Sequence, residues 1–235
     1  MRRIWASGVV GRNRSSTSRS SCVNSDCGRY GLAVAIRKLD AKGASLLVSK
    51  IFGGGFDYAR RQSFTDAAFG VAFDQNDSAW IVGGDQSGGV PTTVNAIAAN
   101  RPSAYFAGYA VKMSLSGELL YASYIDGYSQ DPIRSVAVDG SGNPYFSLVN
   151  SSLESHIIAF AADGVRVILS KQFGSAVGSI ALDGGGGLYA VGTPGPAALA
   201  CPTTSGAYQF SPRGNDSIIC AAKFDLSQST TSQLF

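Results

Sequence analysis

The side chains that could carry covalent or metal chemistry are few in this sequence. The only histidine is His156, and a Ser/His/Asp or Cys/His nucleophile would have to be built around it. In the repeat described below, His156 aligns with Ala35, Tyr109 and Cys220, an ordinary position inside a strand. We therefore predict a structural role for His156 and no catalytic triad.

The four cysteines do not have zinc spacing, because only Cys22 and Cys27 are near neighbours and a single histidine is available. Three disulfide connectivities are possible. We expect the local one, Cys22 with Cys27 and Cys201 with Cys220, because each pair lies within one long loop. Oxidised cysteines would place the chain outside the cytoplasm. The sequence predicts neither a metal nor a cofactor.

Loop carboxylates are the remaining reactive groups, since pairs of them hydrolyse glycosidic bonds. The candidates are Asp57, Asp66, Asp126 and Asp131. Other aspartates recur at turn positions, where the carboxylate accepts local N–H groups. One such turn, 139–143 (DGSGN), has a single carboxylate and does not match a calcium loop. A polysaccharide hydrolase or lyase is the alternative function that the loop carboxylates leave open.

The composition is typical of many short strands joined by tight turns. Hydrophobic residues make up 45% of the 235, charged residues 15%, and 29 residues are glycine. No apolar run reaches the ~18 residues of a membrane-spanning helix, and residues 1–10 lack the apolar core of a signal peptide. The net charge of +3 depends on five arginines that precede Asp26. We expect neither membrane insertion nor nucleic-acid binding.

Four signals recur in the same order along the chain and define a repeat of four short strands, a to d. Strand a ends in Asp and is followed six residues later by an aromatic residue that opens strand b. Strand c carries a lysine in three of four copies, and strand d follows a turn that ends in glycine. The strand-b aromatics are Trp5, Trp80, Tyr145 and Tyr189, and the strand-c positions are Lys38, Lys112, Ala159 and Lys223.

This pattern predicts an all-β fold, because short β-branched and aromatic strands separated by Gly, Asp, Asn and Ser are typical of antiparallel propeller blades. The predicted fold is a β-propeller-type repeat of about four four-stranded antiparallel blades, the first lacking its innermost strand, as part of a larger propeller. The units span about 4–52, 67–125, 133–173 and 177–235 within one domain, 1–235. We expect an open arc or a strained ring that needs further blades or another chain to close.

Three strings make a family resemblance specific: 110–127 (AVKMSLSGELLYASYIDG), 135–147 (SVAVDGSGNPYFS) and 201–209 (CPTTSGAYQ). They resemble the bacterial SBBP-type β-propeller repeat, and the resemblance covers nearly everything from Trp5 to Asp225. It implies an extracytoplasmic protein, secreted or at the cell surface, and it brings no catalytic residue and no established ligand. The sequence departs from that repeat at Ala159 and in the first unit.

Long loops are predicted on only one side of the blades. The b–c connection is about 20 residues longer in units one, two and four than in unit three, whereas every a–b and c–d turn is short. Long loops on a rigid scaffold are common binding sites, and aromatic and Arg residues are enriched at interfaces. We predict a non-catalytic scaffold that binds a protein or carbohydrate there. The candidate contacts are Tyr58, Arg60, Arg101, Tyr105, Phe106, Tyr208 and Arg213.

Overall fold

The computed structural model describes residues 4–10, 32–54, 56–57, 62–102, 106–125, 132–149, 155–173, 175–194 and 219–226. Its regular elements are β-strands, as the sequence predicts. In this part of the chain, no helix has the length and apolar character needed to cross a lipid bilayer. The strands are β1 (Ile4–Val10), β2 (Ala33–Leu39), β3 (Leu46–Phe52), β4 (Phe56–Asp57), β5 (Gln62–Ser63), β6 (Ala67–Phe73), β7 (Ala79–Asp85), β8 (Ala107–Met113), β9 (Leu119–Tyr124), β10 (Ile133–Val138), β11 (Pro144–Val149), β12 (Ser155–Phe160), β13 (Val167–Phe173), β14 (Ser175–Leu182), β15 (Gly187–Pro194) and β16 (Cys220–Asp225).

The strands form four antiparallel sheets that follow the predicted units. Sheet I has the order β1-β2-β3, sheet II β6-β7-β8-β9, sheet III β10-β11-β12-β13 and sheet IV β14-β15-β16, and β4 and β5 form a small hairpin between sheets I and II. Sheet I therefore begins with strand b, and sheets II and III each contain strands a to d, which confirms the predicted blade-like repeat. The predicted strand d of the fourth unit, near 230–235, lies outside the described residues.

The registers confirm the alignment of the repeats. Trp80 of β7 lies opposite Lys112 of β8, and Tyr145 of β11 lies opposite Ala159 of β12. His156 stands three residues before Ala159 in β12, the strand position predicted for it. Its neighbours across the sheet are positions 148 and 172 of the adjacent strands.

The four sheets stack in chain order. β1 packs against β6, β6 against β10 and β10 against β14. An apolar cluster fills the space between each consecutive pair of sheets. In the cluster between sheets II and III, the fully buried Trp80 lies 5.7 Å from Tyr121 and 6.0 Å from Phe146 between ring centroids. A comparable contact between β14 and β1 is absent among the described strands.

The a–b and c–d turns are short in each described copy, as predicted. The Asp139 carboxylate accepts two backbone N–H groups of its own turn at 2.8 and 2.9 Å, and Asp74 and Asp183 do the same. In the c–d turn of sheet III, Gly164 has a φ of +82°, which a residue with a Cβ rarely adopts. Asp77, rather than the expected Gly or Asn, takes the positive φ in the a–b turn of sheet II. In sheet II, these turns lie at the end of the sheet opposite the b–c loop.

Candidate functional site

Two buried carboxylates lie where the connection from sheet I meets the b–c loop of sheet II. Asp66 directly precedes β6, and Asp85 is the last residue of β7. Strands β6 and β7 are antiparallel, with Ala67 opposite Gly84, so the two aspartates stand side by side at one end of this hairpin. Both side chains are fully buried. We call Asp66 and Asp85 the aspartate pair.

Asp66 connects three segments of the chain. Its Oδ1 accepts hydrogen bonds from the backbone N–H groups of Gln86 at 2.7 Å and Ser87 at 3.1 Å. Its Oδ2 accepts the Ser87 hydroxyl at 2.6 Å and the backbone N–H of Gly54. Hydrogen bonds to an ionised acceptor are stronger than neutral ones, so this carboxylate fixes the start of the b–c loop against the end of sheet I.

Asp85 organises the next few residues of the same loop. Its Oδ1 lies 3.0 Å from the Ser87 hydroxyl oxygen and accepts the N–H of Gly89 at 3.3 Å. Its Oδ2 accepts the N–H of Gly88 at 2.8 Å and the hydroxyl of Tyr124 at 3.0 Å. The pair therefore holds residues 86–89 by their main chain.

A single proton on one of the two carboxyl groups gives every close oxygen–oxygen contact among Asp66, Ser87 and Asp85 a hydrogen to share. The Ser87 hydroxyl carries one hydrogen but lies within hydrogen-bond distance of both carboxyl groups, so it can donate to only one of them. If it donates to Asp66, a protonated Asp85 completes the chain by donating to the Ser87 oxygen. Burial, together with the charge of Asp66, raises the pKa of Asp85 to about 6. Both observations place the proton on Asp85 below about pH 6.

Two tyrosine hydroxyls complete the polar surroundings of the aspartate pair. Tyr124 donates to Asp85, and Tyr109 donates to the Ala67 carbonyl at 3.1 Å. Burial, and then the charges of the carboxyl groups, raise the pKa of both tyrosines. They therefore remain neutral hydrogen-bond donors across the ordinary pH range.

Glycines allow the backbone segments to approach the pair this closely. A Cβ on Gly53, which has a φ of +74°, would lie 2.3 Å from Asp66 Oδ2. A Cβ on Gly83 would lie 1.9 Å from the Ala67 carbonyl oxygen. Real Cβ atoms do not come so near, so a side chain at either position would force the segments apart.

The b–c loop of sheet II returns from the aspartate pair along the outer edge of its own sheet. Thr93 donates its backbone N–H to Ala122 at 3.0 Å, and Ala98 forms an antiparallel bridge with Tyr124 of β9. Because a bare edge strand is prone to pairing with other chains, this part of the loop protects β9. Between the two attachments, the side chain of Val94 is fully exposed and that of Ile97 is partly so. The loop is thus fixed to β9 at both sides of an exposed apolar tip.

Two of the predicted ligand contacts lie within the described residues, and both are at the root of this loop. Arg101 Nη1 donates to the Gln86 carbonyl at 2.5 Å. Phe106 is partly buried against the β7 backbone, where a Cβ on Gly84 would lie 2.8 Å from its ring. Their role in ligand binding stays a prediction. The others, Tyr58, Arg60, Tyr105, Tyr208 and Arg213, lie outside the described residues.

Sequence reasoning named Asp66 as a loop carboxylate but missed Asp85 and Ser87. A signal was present, because Asp85 ends a strand whose seven residues are all buried and is followed by Gln-Ser-Gly-Gly. A carboxylate at that position has to find donors, and the N–H groups of a glycine-containing loop are the nearest ones.

Only one of the four cysteines lies within the described residues. Cys220 is disulfide-bonded, whereas Cys22, Cys27 and Cys201 lie outside the described residues, so the predicted pairing stays a prediction. Within the described ranges, no group of three or more His, Cys, Asp or Glu side chains could hold a metal ion.

The stacked antiparallel sheets, with short a–b and c–d turns in each described copy, form an all-β repeat fold of propeller-like blades. No family model matches the chain, and no curated protein matches it.

Proposed function

We propose that this chain is a non-catalytic, extracytoplasmic propeller-type scaffold that binds a protein or carbohydrate ligand on its long-loop side. The observation that carries the proposal is that the aspartate pair is buried and that its oxygens accept hydrogen bonds from groups of the protein itself. Both side chains are fully buried, and the oxygens of both accept hydrogen bonds that hold the b–c loop. The pair acts as an anchor for a rigid loop.

A rigid loop with an exposed tip favours binding, because little conformational entropy is lost when a ligand meets it. Val94 and Ile97 are exposed apolar residues on that tip, with exposed amides from Asn95 and Asn100 beside them. This mixture of apolar and amide groups suits a protein surface or the faces and hydroxyls of a sugar. The extracytoplasmic location rests on the resemblance to the SBBP-type repeat.

The alternative, a polysaccharide hydrolase or lyase, needs carboxylates that reach the scissile bond. Asp66 is enclosed and fully hydrogen-bonded, so this alternative depends on Asp57, Asp126 and Asp131, whose side chains lie outside the described part of the chain.

A single panel separates the two functions. The purified chain is incubated with cellulose, chitin, xylan, alginate, peptidoglycan and purified matrix proteins, and both bound protein and released reducing ends are measured. We expect retention on at least one member without release of reducing ends. Val94→Asp should weaken that retention, whereas Val165→Asp, an exposed apolar residue on the short-turn side, should leave it unchanged. Product release, or retention insensitive to Val94→Asp, would contradict the proposal.

A further inference from the structure

One irregularity of strand a recurs in three sheets. In β6, Ala68 lies opposite Gly83 and Gly70 lies opposite Val82, so Phe69 is an extra residue with no partner across the sheet. Strands β10 and β14 have the same irregularity at the same place, five residues before the aspartate of the a–b turn. Such β-bulges redirect a side chain and are frequent next to active sites. We call the three extra residues the bulge row: Phe69, Arg134 and Gly178.

The strand-c lysines join consecutive sheets in the same way. Lys112 of sheet II forms an ion pair with Asp74 at 3.0 Å and donates to the Ala162 carbonyl in the c–d turn of sheet III at 3.1 Å. Lys38 of sheet I donates to the Leu115 carbonyl in the c–d turn of sheet II. In two copies the lysine thus crosses from one sheet to the main chain of the next, which holds successive sheets in equivalent positions.

The strands that carry the bulge row also meet in equivalent ways. A Cβ on Gly70 of β6 would lie 3.2 Å from the main-chain nitrogen of Val136 in β10. Ser135 is the equivalent of Gly70 in β10, and its hydroxyl accepts the N–H of Ile180, the equivalent of Val136 in β14, at 3.2 Å. Each bulge therefore stands beside the bulge of the next sheet.

The first two members of the bulge row are exposed and in contact. The guanidinium carbon of Arg134 lies 5.2 Å from the centre of the Phe69 ring, a cation–π distance. The Phe69 side chain is 43% exposed, and Arg134 is exposed as well. In the described part of the chain, no ion pair includes Arg134. The pair therefore offers solvent an aromatic surface beside a planar cation, whose N–H groups suit a carboxylate.

The third member of the bulge row leaves space beside Arg134. A Cβ on Gly178 would have the Val191 carbonyl oxygen, at 4.0 Å, as its nearest neighbour, and the φ of Gly178 lies outside the left-handed region. Gly83 differs, because a Cβ there would lie 1.9 Å from a carbonyl oxygen. Neither the backbone conformation nor the packing requires glycine at 178. A glycine inside a strand weakens it and often marks the close approach of a ligand.

We propose that the bulge row binds an acidic polysaccharide through a uronic acid residue. The carboxylate pairs with the Arg134 guanidinium, and the C–H groups of the sugar ring pack on the Phe69 ring, whose face is electron-rich. The neighbouring sugar occupies the space over Gly178. This inference rests on the proposed function for the choice of a carbohydrate, and it adds a second site, apart from the Val94 tip.

Isothermal titration calorimetry with trigalacturonate, at neutral pH and low salt, is the first test. We expect binding at least about tenfold tighter than that of the fully methyl-esterified trisaccharide, which lacks the charge. Arg134→Gln should weaken trigalacturonate binding by a similar factor. Arg166→Gln, which removes an exposed arginine from the c–d turn of the same sheet, should leave the affinity unchanged.

Gly178→Leu tests the geometry of the site. The added side chain fills the space beside Arg134, so we expect it to abolish trigalacturonate binding. The urea midpoint should stay the same or rise, because this strand position has room for a side chain. Gly140→Leu, at a glycine of an a–b turn that also has open space around it, should leave binding intact. Circular dichroism establishes that each variant is folded.

Val94→Asp separates this site from the loop tip. A trisaccharide on the bulge row does not need the tip, so Val94→Asp should bind trigalacturonate like the wild type even where it weakens retention on polymers. Failure of the tip would thus leave the bulge row intact, and the reverse. Absence of trigalacturonate binding, equal binding of the ester, tighter binding of a hexa-aspartate peptide, or binding that survives Gly178→Leu would overturn the proposal.

Discussion

Asp85 gives this protein a pH dependence opposite to that of an ordinary paired carboxylate. Its pKa is raised to about 6, while the ordinary value of 3.8 applies in the unfolded chain. Between these two pKa values the folded state binds more protons than the unfolded state. The free energy of unfolding therefore falls as the pH rises from about 4 to about 6, and the Asp85 contribution is level above that.

The size of the effect follows from the two pKa values. At about 1.4 kcal/mol per pKa unit, the full loss is at most about 3 kcal/mol. The groups that face Asp85 are Asp66, Tyr109 and Tyr124. The tyrosines stay neutral in this window, so burial and the charge of Asp66 are what oppose ionisation.

Substitution of the two aspartates by asparagine should have unequal effects. In Asp85→Asn, the amide nitrogen takes the place of Oδ1 and can donate to the Ser87 oxygen, and the Gly89 N–H that Oδ1 accepted keeps the Ser87 oxygen as an acceptor at 3.0 Å. The amide oxygen accepts Gly88 and Tyr124, which imitates the protonated acid. In Asp66→Asn, the amide nitrogen would face a donor, because both oxygens of Asp66 accept hydrogen bonds. We expect Asp66→Asn to lose at least about 2 kcal/mol at every pH.

Urea unfolding followed by tryptophan fluorescence, at intervals from pH 4 to pH 8, measures these differences. We expect Asp85→Asn to match the wild type near pH 4 and to exceed it by up to about 3 kcal/mol above pH 7. The difference between these two curves isolates Asp85 from other carboxylates. If the two curves stay parallel, or if Asp66→Asn is the more stable variant, the assignment of the proton to Asp85 is wrong.

Further predictions concern packing and covalent structure. Gly83→Ala should cost about 3 kcal/mol in urea unfolding because its Cβ meets the Ala67 carbonyl, whereas Gly140→Ala, with open space around it, should change stability little. Lys112→Met should cost about 3 kcal/mol by leaving a buried carboxylate without its cation, and a value below 1 kcal/mol would contradict its role between blades. Non-reducing peptide mapping should join Cys220 to residue 201; a link to either early cysteine would contradict the loop assignment.

The local order of this fold could be predicted from the sequence. Aspartate and glycine at fixed offsets define each short turn within five or six residues, and short runs rich in β-branched and aromatic residues define the strands between them. Both signals depend on neighbours along the chain, which is why Trp80, Tyr145 and Tyr189 could be aligned correctly. The same reasoning predicted that sheet I begins with strand b.

The tertiary structure alone decided which polar groups meet. Asp66 and Asp85 come together because β6 and β7 pair with a register that the strand pattern does not specify, and the Gly54 donor arrives from another sheet. The lysines of strand c recur visibly in the sequence. Their acceptors are main-chain carbonyls of the next blade, which cannot be predicted from the sequence because every residue has a carbonyl. The contrast between buried Trp80 and exposed Tyr189 likewise depends on whether a neighbouring blade covers the face, because the two positions are equivalent in every local respect.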